Sequence, residues 1–131
     1  MARIAVVDDD SALIDLMCEL LADEGYDTIS HKVGNTAYKM IKEKQPDLVG
    51  LDIRLETPDA GWLILELVRL DPQTTTIPVI VCSADTHFLK AKEAHLREQG
   101  CCVLEKPFNL DALLATVSTT LDSTIKACGP A

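Results

Sequence analysis

Five short apolar segments alternate along this chain with five longer segments of helical periodicity, and this alternation restricts the fold more than any other feature. The apolar segments are IAVV at 4–7, DTISHKV at 27–33, DLVGLD at 47–52, VIVCS at 79–83 and CCVLE at 101–105. Most of them lack polar alternation, which is typical of strands that are buried on both faces. Repeated strand–helix units predict a parallel sheet with helices on both of its faces.

Helices are predicted at 11–24, 36–44, 62–70, 86–99 and 110–121, each with an apolar stripe or a stop signal at its end. Gly25 and Gly100 are suited to end the first and fourth helices, and Asn109 is suited to cap the last one. The helix at 62–70 is apolar nearly all round, so we expect it to be well buried. The pattern predicts one domain over residues 1–122 and a frayed tail over 123–131.

The composition excludes several classes of partner. The net charge is −9, which argues against direct binding of nucleic acid or of an anionic membrane. No apolar run approaches the roughly 20 residues of a membrane span, and MARIAVVDDD is not a signal-peptide pattern. Five cysteines, an odd number without a CxxC pair, favour reduced and mostly buried thiols. We therefore expect a cytoplasmic protein.

Polar residues follow four of the predicted strands, at the point where each strand ends. They are Asp8, Asp9 and Asp10 after the first strand, Asp52 after the third, Ser83 after the fourth and Lys106 after the fifth. The carboxyl ends of parallel strands meet at one edge of a sheet, where ligands bind. We expect these side chains to converge there, except that Asp10 is suited to cap the next helix.

This set of residue types fits phosphoryl transfer assisted by a metal ion. Clustered carboxylates bind hard cations, and Mg²⁺ needs only one or two of them together with phosphate oxygens and water. An aspartate can attack phosphorus to give an aspartyl-phosphate. A hydroxyl and an ammonium group can then stabilise the charge on the phosphoryl oxygens.

The segments IAVVDDD, DLVGLD, IPVIVCSA and LEKPF resemble, in order and in spacing, the receiver domain of two-component response regulators, of the single-domain chemotaxis type. The resemblance covers about residues 2–122. It implies a flavodoxin-like (βα)₅ fold, in which a doubly wound five-stranded parallel sheet has the order 2-1-3-4-5.

The resemblance also implies a role for each residue at the strand ends. Asp52 matches the phosphoacceptor, while Asp8, Asp9, Asp52 and the backbone carbonyl of Arg54 match the Mg²⁺ ligands, Asp8 acting through water. The phosphoryl-binding positions of the family correspond to Ser83, Ala84 and Lys106 in this sequence.

The family receives its phosphoryl group from a sensor histidine kinase or a phosphotransfer protein, and the added charge switches a surface that binds a downstream protein. The resemblance therefore implies a signalling protein that catalyses only its own phosphorylation and dephosphorylation, as a monomer or a weak homodimer. Val103 departs from the family, which usually has an aromatic residue there. Gly61 departs as well, because it follows the phosphoacceptor by nine residues where eight are usual.

Three other functions remain open. A receiver-like module that signals without phosphorylation is compatible with Val103 and with the altered loop after Asp52. A phosphatase-like hydrolase would need a DxD pattern, which Asp52-Ile53-Arg54 lacks. A flavin or another small molecule could bind the same architecture.

Overall fold

The protein is an α/β domain with a single parallel sheet, described by a computed structural model for residues 2–32, 34–53, 60–84, 86–106 and 109–122. The strands are β1 (Arg3–Val7), β2 (Asp27–His31), β3 (Leu48–Asp52), β4 (Val79–Ser83) and β5 (Cys101–Glu105). The helices are α1 (Ser11–Asp23), α2 (Gly34–Lys44), α3 (Ala60–Leu70), α4 (Thr86–Glu98) and α5 (Leu110–Asp122). The sheet order β2-β1-β3-β4-β5 confirms the predicted topology.

The sheet separates two apolar cores. One core lies between the sheet and helices α2, α3 and α4, and includes Val49 and Leu51 of β3. The other lies between the sheet and helices α1 and α5, and includes Leu48 of the same strand. Side chains alternate between the faces of a strand, so β3, which is buried along its whole length, contributes to both cores.

The predicted helix ends agree with the structure to within about two residues. The side chain of Asn109 accepts a hydrogen bond from the backbone N–H of Ala112 at 2.6 Å, which confirms the predicted cap of α5. Gly25 and Gly100 follow α1 and α4 with φ of 91° and 76°. This left-handed conformation suits glycine because it has no Cβ to clash.

Two predictions were wrong. The helix at 62–70 is not buried all round, because Leu63, Leu67 and Leu70 on α3 are exposed to solvent. The cysteines are not all reduced, because Cys102 is disulfide-bonded. The thiols of Cys18, Cys82 and Cys101 are free, as expected. None of the described helices combines the length and the hydropathy of a membrane span.

Asp71, directly after α3, joins α2 to the connection between α3 and β4. Its Oδ2 accepts a hydrogen bond from the hydroxyl of Tyr38 and lies 3.0 Å from Nζ of Lys42, both on α2. Its Oδ1 accepts from the backbone N–H of Gln73 at 2.9 Å. These donors lower the pKa of Asp71 to about 2, with the Tyr38 hydroxyl contributing most.

The stability that Asp71 contributes should therefore depend on pH. The folded-state pKa lies below the unfolded value of 3.8, so the contribution is present above pH 3.8 and is lost as the pH falls towards about 2. We expect Asp71→Asn to unfold more easily than the wild type at pH 7, and the difference to shrink between pH 4 and pH 2. Urea unfolding across this range measures it. A difference that is independent of pH would contradict this assignment.

Two glycines near Asp52 have opposite steric surroundings. A Cβ on Gly50, in the middle of β3, would have only the carbonyl oxygen of Ala5 within 4 Å, at 3.9 Å, and Gly50 lines a small apolar cavity. A Cβ on Gly61, in the first turn of α3, would lie 2.2 Å from the carbonyl oxygen of Asp52 and 2.5 Å from Cα of Ile53. Helix α3 can pack this closely against the end of β3 because residue 61 is glycine.

Alanine at these two positions should change the free energy of unfolding in opposite directions. Gly50→Ala should raise it by about 0.5–1 kcal/mol, because the strand loses less backbone entropy on folding and the cavity is partly filled. Gly61→Ala should lower it by about 2 kcal/mol or more, because backbone atoms must move apart. Urea denaturation compares the two variants. A destabilised Gly50→Ala, or an unchanged Gly61→Ala, would refute the steric argument.

Candidate metal and phosphoacceptor site

Three aspartates meet at the carboxyl edge of the sheet. Asp8 and Asp9 follow β1, and Asp52 is the last residue of β3, the neighbouring strand. Each offers a carboxylate oxygen, and these oxygens lie within 4.8 Å of one another. Asp8 and Asp52 are 3% and 7% exposed, whereas Asp9 is exposed to solvent. The structure therefore brings together the three predicted carboxylates.

Backbone hydrogen bonds fix the position of Asp8. Its Oδ1 accepts from the backbone N–H of Asp10 at 3.0 Å, and its own N–H donates to the carbonyl of His31 at 3.1 Å. The carboxylate of Asp10 accepts from the N–H of Leu13 at 3.2 Å and caps α1, as predicted. The three consecutive aspartates thus divide into two at the site and one helix cap.

Lys106 extends from the end of β5 into the cluster of carboxylates. Its Nζ lies 2.7 Å from Oδ2 of Asp8 and 3.2 Å from Oδ2 of Asp52, and its backbone N–H donates to the carbonyl of Ser83 at 2.8 Å. Burial lowers the pKa of Lys106, but the hydrogen bonds and charges of Asp8 and Asp52 outweigh it, so the pKa is raised overall. The ammonium group is therefore charged at neutral pH.

The balance of charge at this edge favours a further cation. One ammonium group cannot neutralise three carboxylates, two of which are almost completely removed from water. The available ligand atoms are carboxylate oxygens, the type that Mg²⁺ prefers. The residues at this site therefore fit a magnesium ion.

Of the other predicted site residues, Ser83 and Ala84 lie at the end of β4, near the carboxylates in the sheet order. Ser83 is completely buried at the end of β4, directly after Cys82, whose Cα pairs with that of Asp52 across the sheet. Ala84 follows it and is exposed. Arg54, whose carbonyl was expected to bind the metal, lies outside the described residues.

Cys82, which pairs with Asp52 across the sheet, is not a nucleophile at neutral pH. Burial raises the pKa of its thiol to about 12, and the charge of Lys106 only partly opposes this shift. The thiolate is the reactive form of cysteine, so a thiol that remains protonated at neutral pH is inert.

The sequence did not reveal how α3 joins the site. The backbone N–H of Gly61 donates to the carbonyl of Ile53 at 2.8 Å, next to Asp52. Trp62, the next residue, lies under the ammonium group of Lys92 and beside the ring of His95, each 5.6 Å from its ring centroid. Both partners belong to α4, so α3 links the end of β3 to α4. Only the position of Gly61 relative to Asp52 hinted at this link.

With this geometry established, comparison with known proteins identifies the class. The response regulator receiver domain family matches residues 4–118, so the chain belongs to this family and is a receiver domain of the two-component type. It is 32% identical over 124 residues to the DNA-binding dual master transcriptional regulator RpaA of Synechocystis sp., covering 95% of this chain. It is 28% identical over 120 residues to the polar-differentiation response regulator DivK of Brucella ovis, covering 90% of this chain.

The two relatives differ in how much of their length the chain spans. It spans 51% of RpaA, about half, but 94% of DivK. Among solved structures, the receiver domain of sensor histidine kinase PA1611 from Pseudomonas aeruginosa, with a magnesium ion coordinated in its active-site cleft, superimposes with a TM-score of 0.79. The two sequences are 21% identical, and the matched region covers 93% of this chain and 98% of the PA1611 chain. This likeness shows the fold.

Removing the ammonium group should expose the repulsion between the carboxylates. We expect Lys106→Met to lower the free energy of unfolding by about 2 kcal/mol, because Asp8 and Asp52 lose their partly buried counter-ion. Mg²⁺ should raise the melting temperature of this variant more than that of the wild type, because no ammonium group repels the metal. Thermal unfolding with and without MgCl₂ measures both effects.

Lys90→Met is the matched control, because Lys90 is exposed on α4. It should change stability by less than about 0.5 kcal/mol and leave the response to Mg²⁺ unaltered. Equal responses to Mg²⁺ in the wild type and in Lys106→Met would show that the metal does not bind at these carboxylates.

Proposed function

We propose that this receiver domain accepts a phosphoryl group on Asp52, in a Mg²⁺-dependent reaction, from a phosphohistidine of a sensor histidine kinase or phosphotransfer protein. The observation that carries the proposal is the convergence of Asp8, Asp9, Asp52 and Lys106 at one edge of the sheet. A purely structural role would not account for it, because buried like charges oppose folding.

Asp8, Asp9 and Asp52 would hold the magnesium ion, with the backbone carbonyl of Arg54 as a further ligand. The receiver domain of PA1611, which has the same fold, coordinates magnesium in its active-site cleft. When bound, the ion supplies positive charge that offsets the carboxylates and the incoming phosphoryl oxygens.

The protein residues act on the phosphoryl group in distinct ways. A carboxylate oxygen of Asp52 forms the new bond to phosphorus while the phosphorus–nitrogen bond of the phosphohistidine breaks. The electron pair of that bond stays on the imidazole nitrogen, and the product is an acyl phosphate on Asp52. The backbone of β3, held between β1 and β4, fixes the position of the attacking side chain.

Lys106 and Ser83 receive the transferred group. The ammonium group of Lys106 lies 3.2 Å from Oδ2 of Asp52 and can pair with a phosphoryl oxygen bound there. The hydroxyl of Ser83 donates to another phosphoryl oxygen, and the small side chain of Ala84 leaves room for it. Apart from its own phosphorylation and dephosphorylation, the domain catalyses no reaction.

The new charge would bias the carboxyl edge of the sheet between two conformations and alter the surface formed by α4, β5 and α5. The output is a downstream protein partner bound by a cytoplasmic monomer or weak homodimer, without direct contact to nucleic acid or membrane. Val103, which is only partly buried, stands where the family usually has an aromatic switch residue. This departure favours one second candidate, a binding module that signals without phosphorylation.

The mass of the intact protein tests the proposal. After incubation with Mg²⁺ and a small phosphoryl donor such as acetyl phosphate, the wild type should gain one phosphoryl group. The Asp52→Asn variant should gain no phosphoryl group, whether Mg²⁺ is present or absent, because the amide is not a nucleophile towards phosphorus. Asp9→Asn should be modified at least about tenfold more slowly, because it removes a metal ligand.

An adduct that persists in Asp52→Asn would place the phosphoryl group on another residue. No adduct on the wild type with any small donor or with a phosphorylated histidine kinase domain would sink the proposal and favour the phosphorylation-independent module.

A further inference from the structure

The face of the domain formed by α2, α3 and α4 exposes an unusual apolar surface. Leu63, Leu67 and Leu70 on α3 are 55%, 47% and 78% exposed. Their spacing of four and three residues places them on one side of the helix, along about 10 Å of its axis. We call these three residues the leucine stripe. Exposed apolar side chains in a row, with polar neighbours, mark interaction sites.

The helices that cover the two faces of the sheet carry net charges of opposite sign. Helices α1 and α5 carry five acidic residues and no lysine or arginine. Helices α2, α3 and α4 carry seven lysines and arginines against four acidic residues, a net charge of +3. The leucine stripe therefore lies on the basic face of a protein whose net charge is −9.

Lysines lie on both sides of the stripe. On the α4 side, Lys92 lies over the ring of Trp62, the residue directly before Leu63. On the α2 side, Lys42 pairs with Asp71, the residue directly after Leu70. Lys39, one turn earlier on α2, has a side chain that is 81% exposed and lies 4.0 Å from Oε1 of Glu43, an exposed pair that solvent screens. The stripe thus has a lysine near each of its ends, and the two lysines on the α2 side each lie beside an acidic residue.

We propose that the leucine stripe is a docking surface for a partner protein, and that the partner contributes an amphipathic helix whose apolar side is flanked by acidic residues. Two turns of such a helix match the length of the stripe, and its acidic residues would face Lys39, Lys42 and Lys92. This surface is separate from Asp52, and the proposal does not depend on phosphorylation.

Two other occupants fit less well. An anionic membrane would attract the basic face but would be repelled by the net charge of −9. A second copy that used its own stripe would bring two basic faces together, and its acidic face offers only Leu16 on α1 as a large exposed apolar side chain among the described residues. One leucine does not complement a stripe of three.

A synthetic peptide of about 16 residues, long enough for a helix and stapled to hold it, can serve as the probe. It carries leucines at positions i, i+4 and i+7 with glutamates beside them, and a second peptide has lysines in place of the glutamates. Amide chemical shifts of the isotope-labelled protein follow each titration. We expect saturable shifts on α3 and the facing sides of α2 and α4, and binding that weakens as salt is added.

Four variants make the test specific. Leu63→Ala and Leu67→Ala should each weaken binding of the acidic peptide by about fivefold or more, since each removes an anchor. Leu16→Ala, the matched leucine on the opposite face, should leave the affinity unchanged. Glu66 is exposed on the same side of α3 as the stripe, so Glu66→Gln should tighten binding about twofold.

The same titration on Asp52→Asn should give the same affinity, which separates this proposal from the proposed phosphoryl transfer. No saturable shift up to about 1 mM peptide would overturn the proposal. So would equal binding of the lysine peptide, or shifts on α1 and α5. If the acidic peptide does not bind, two results would assign the surface to another occupant. Binding to anionic vesicles would assign it to a membrane, and concentration-dependent self-association that is lost in Leu67→Ala would assign it to a second copy.

Discussion

The ion pairs of Lys106 with Asp8 and Asp52 are the interaction on which the functional edge of this domain depends. They join residues from the ends of three strands, β1, β3 and β5, that are far apart in the sequence. Without the ammonium group, two carboxylates removed from water would repel each other within a few ångströms. Folding therefore assembles a site whose negative charge is only partly balanced, and which gains stability from any cation that it binds.

Much of this arrangement could be predicted from the sequence, because the relevant signals are local. The apolar runs define the strands, and polar residues at their ends must meet once the strands are parallel. The separation of Asp10 from Asp8 and Asp9 followed from the chemistry of helix caps. The order of the sheet came from the family resemblance, since strand periodicity alone does not determine which strands are neighbours.

The features that could not be predicted depend on contacts between distant residues. An apolar helix such as α3 can be buried by its neighbours on every side or left open on one, and its periodicity does not tell which. The tie between Tyr38 and Asp71 joins residues 33 positions apart and leaves no pattern in either segment. The contact of Gly61 with the end of β3 likewise depends on how α3 approaches the sheet, which the sequence reflects only as a glycine in a loop of altered length.

Helix α3 carries the leucine stripe and also contacts the end of β3 through Gly61. This position has a spectroscopic consequence. Trp62 is the single tryptophan of the chain, and its indole ring lies at the junction of α3 with Lys92 and His95 of α4. The tryptophan emission of the protein therefore comes from one place, one residue away from Gly61, which contacts the end of β3. Any rearrangement between these two helices changes the surroundings of the indole and can be followed in real time without a label.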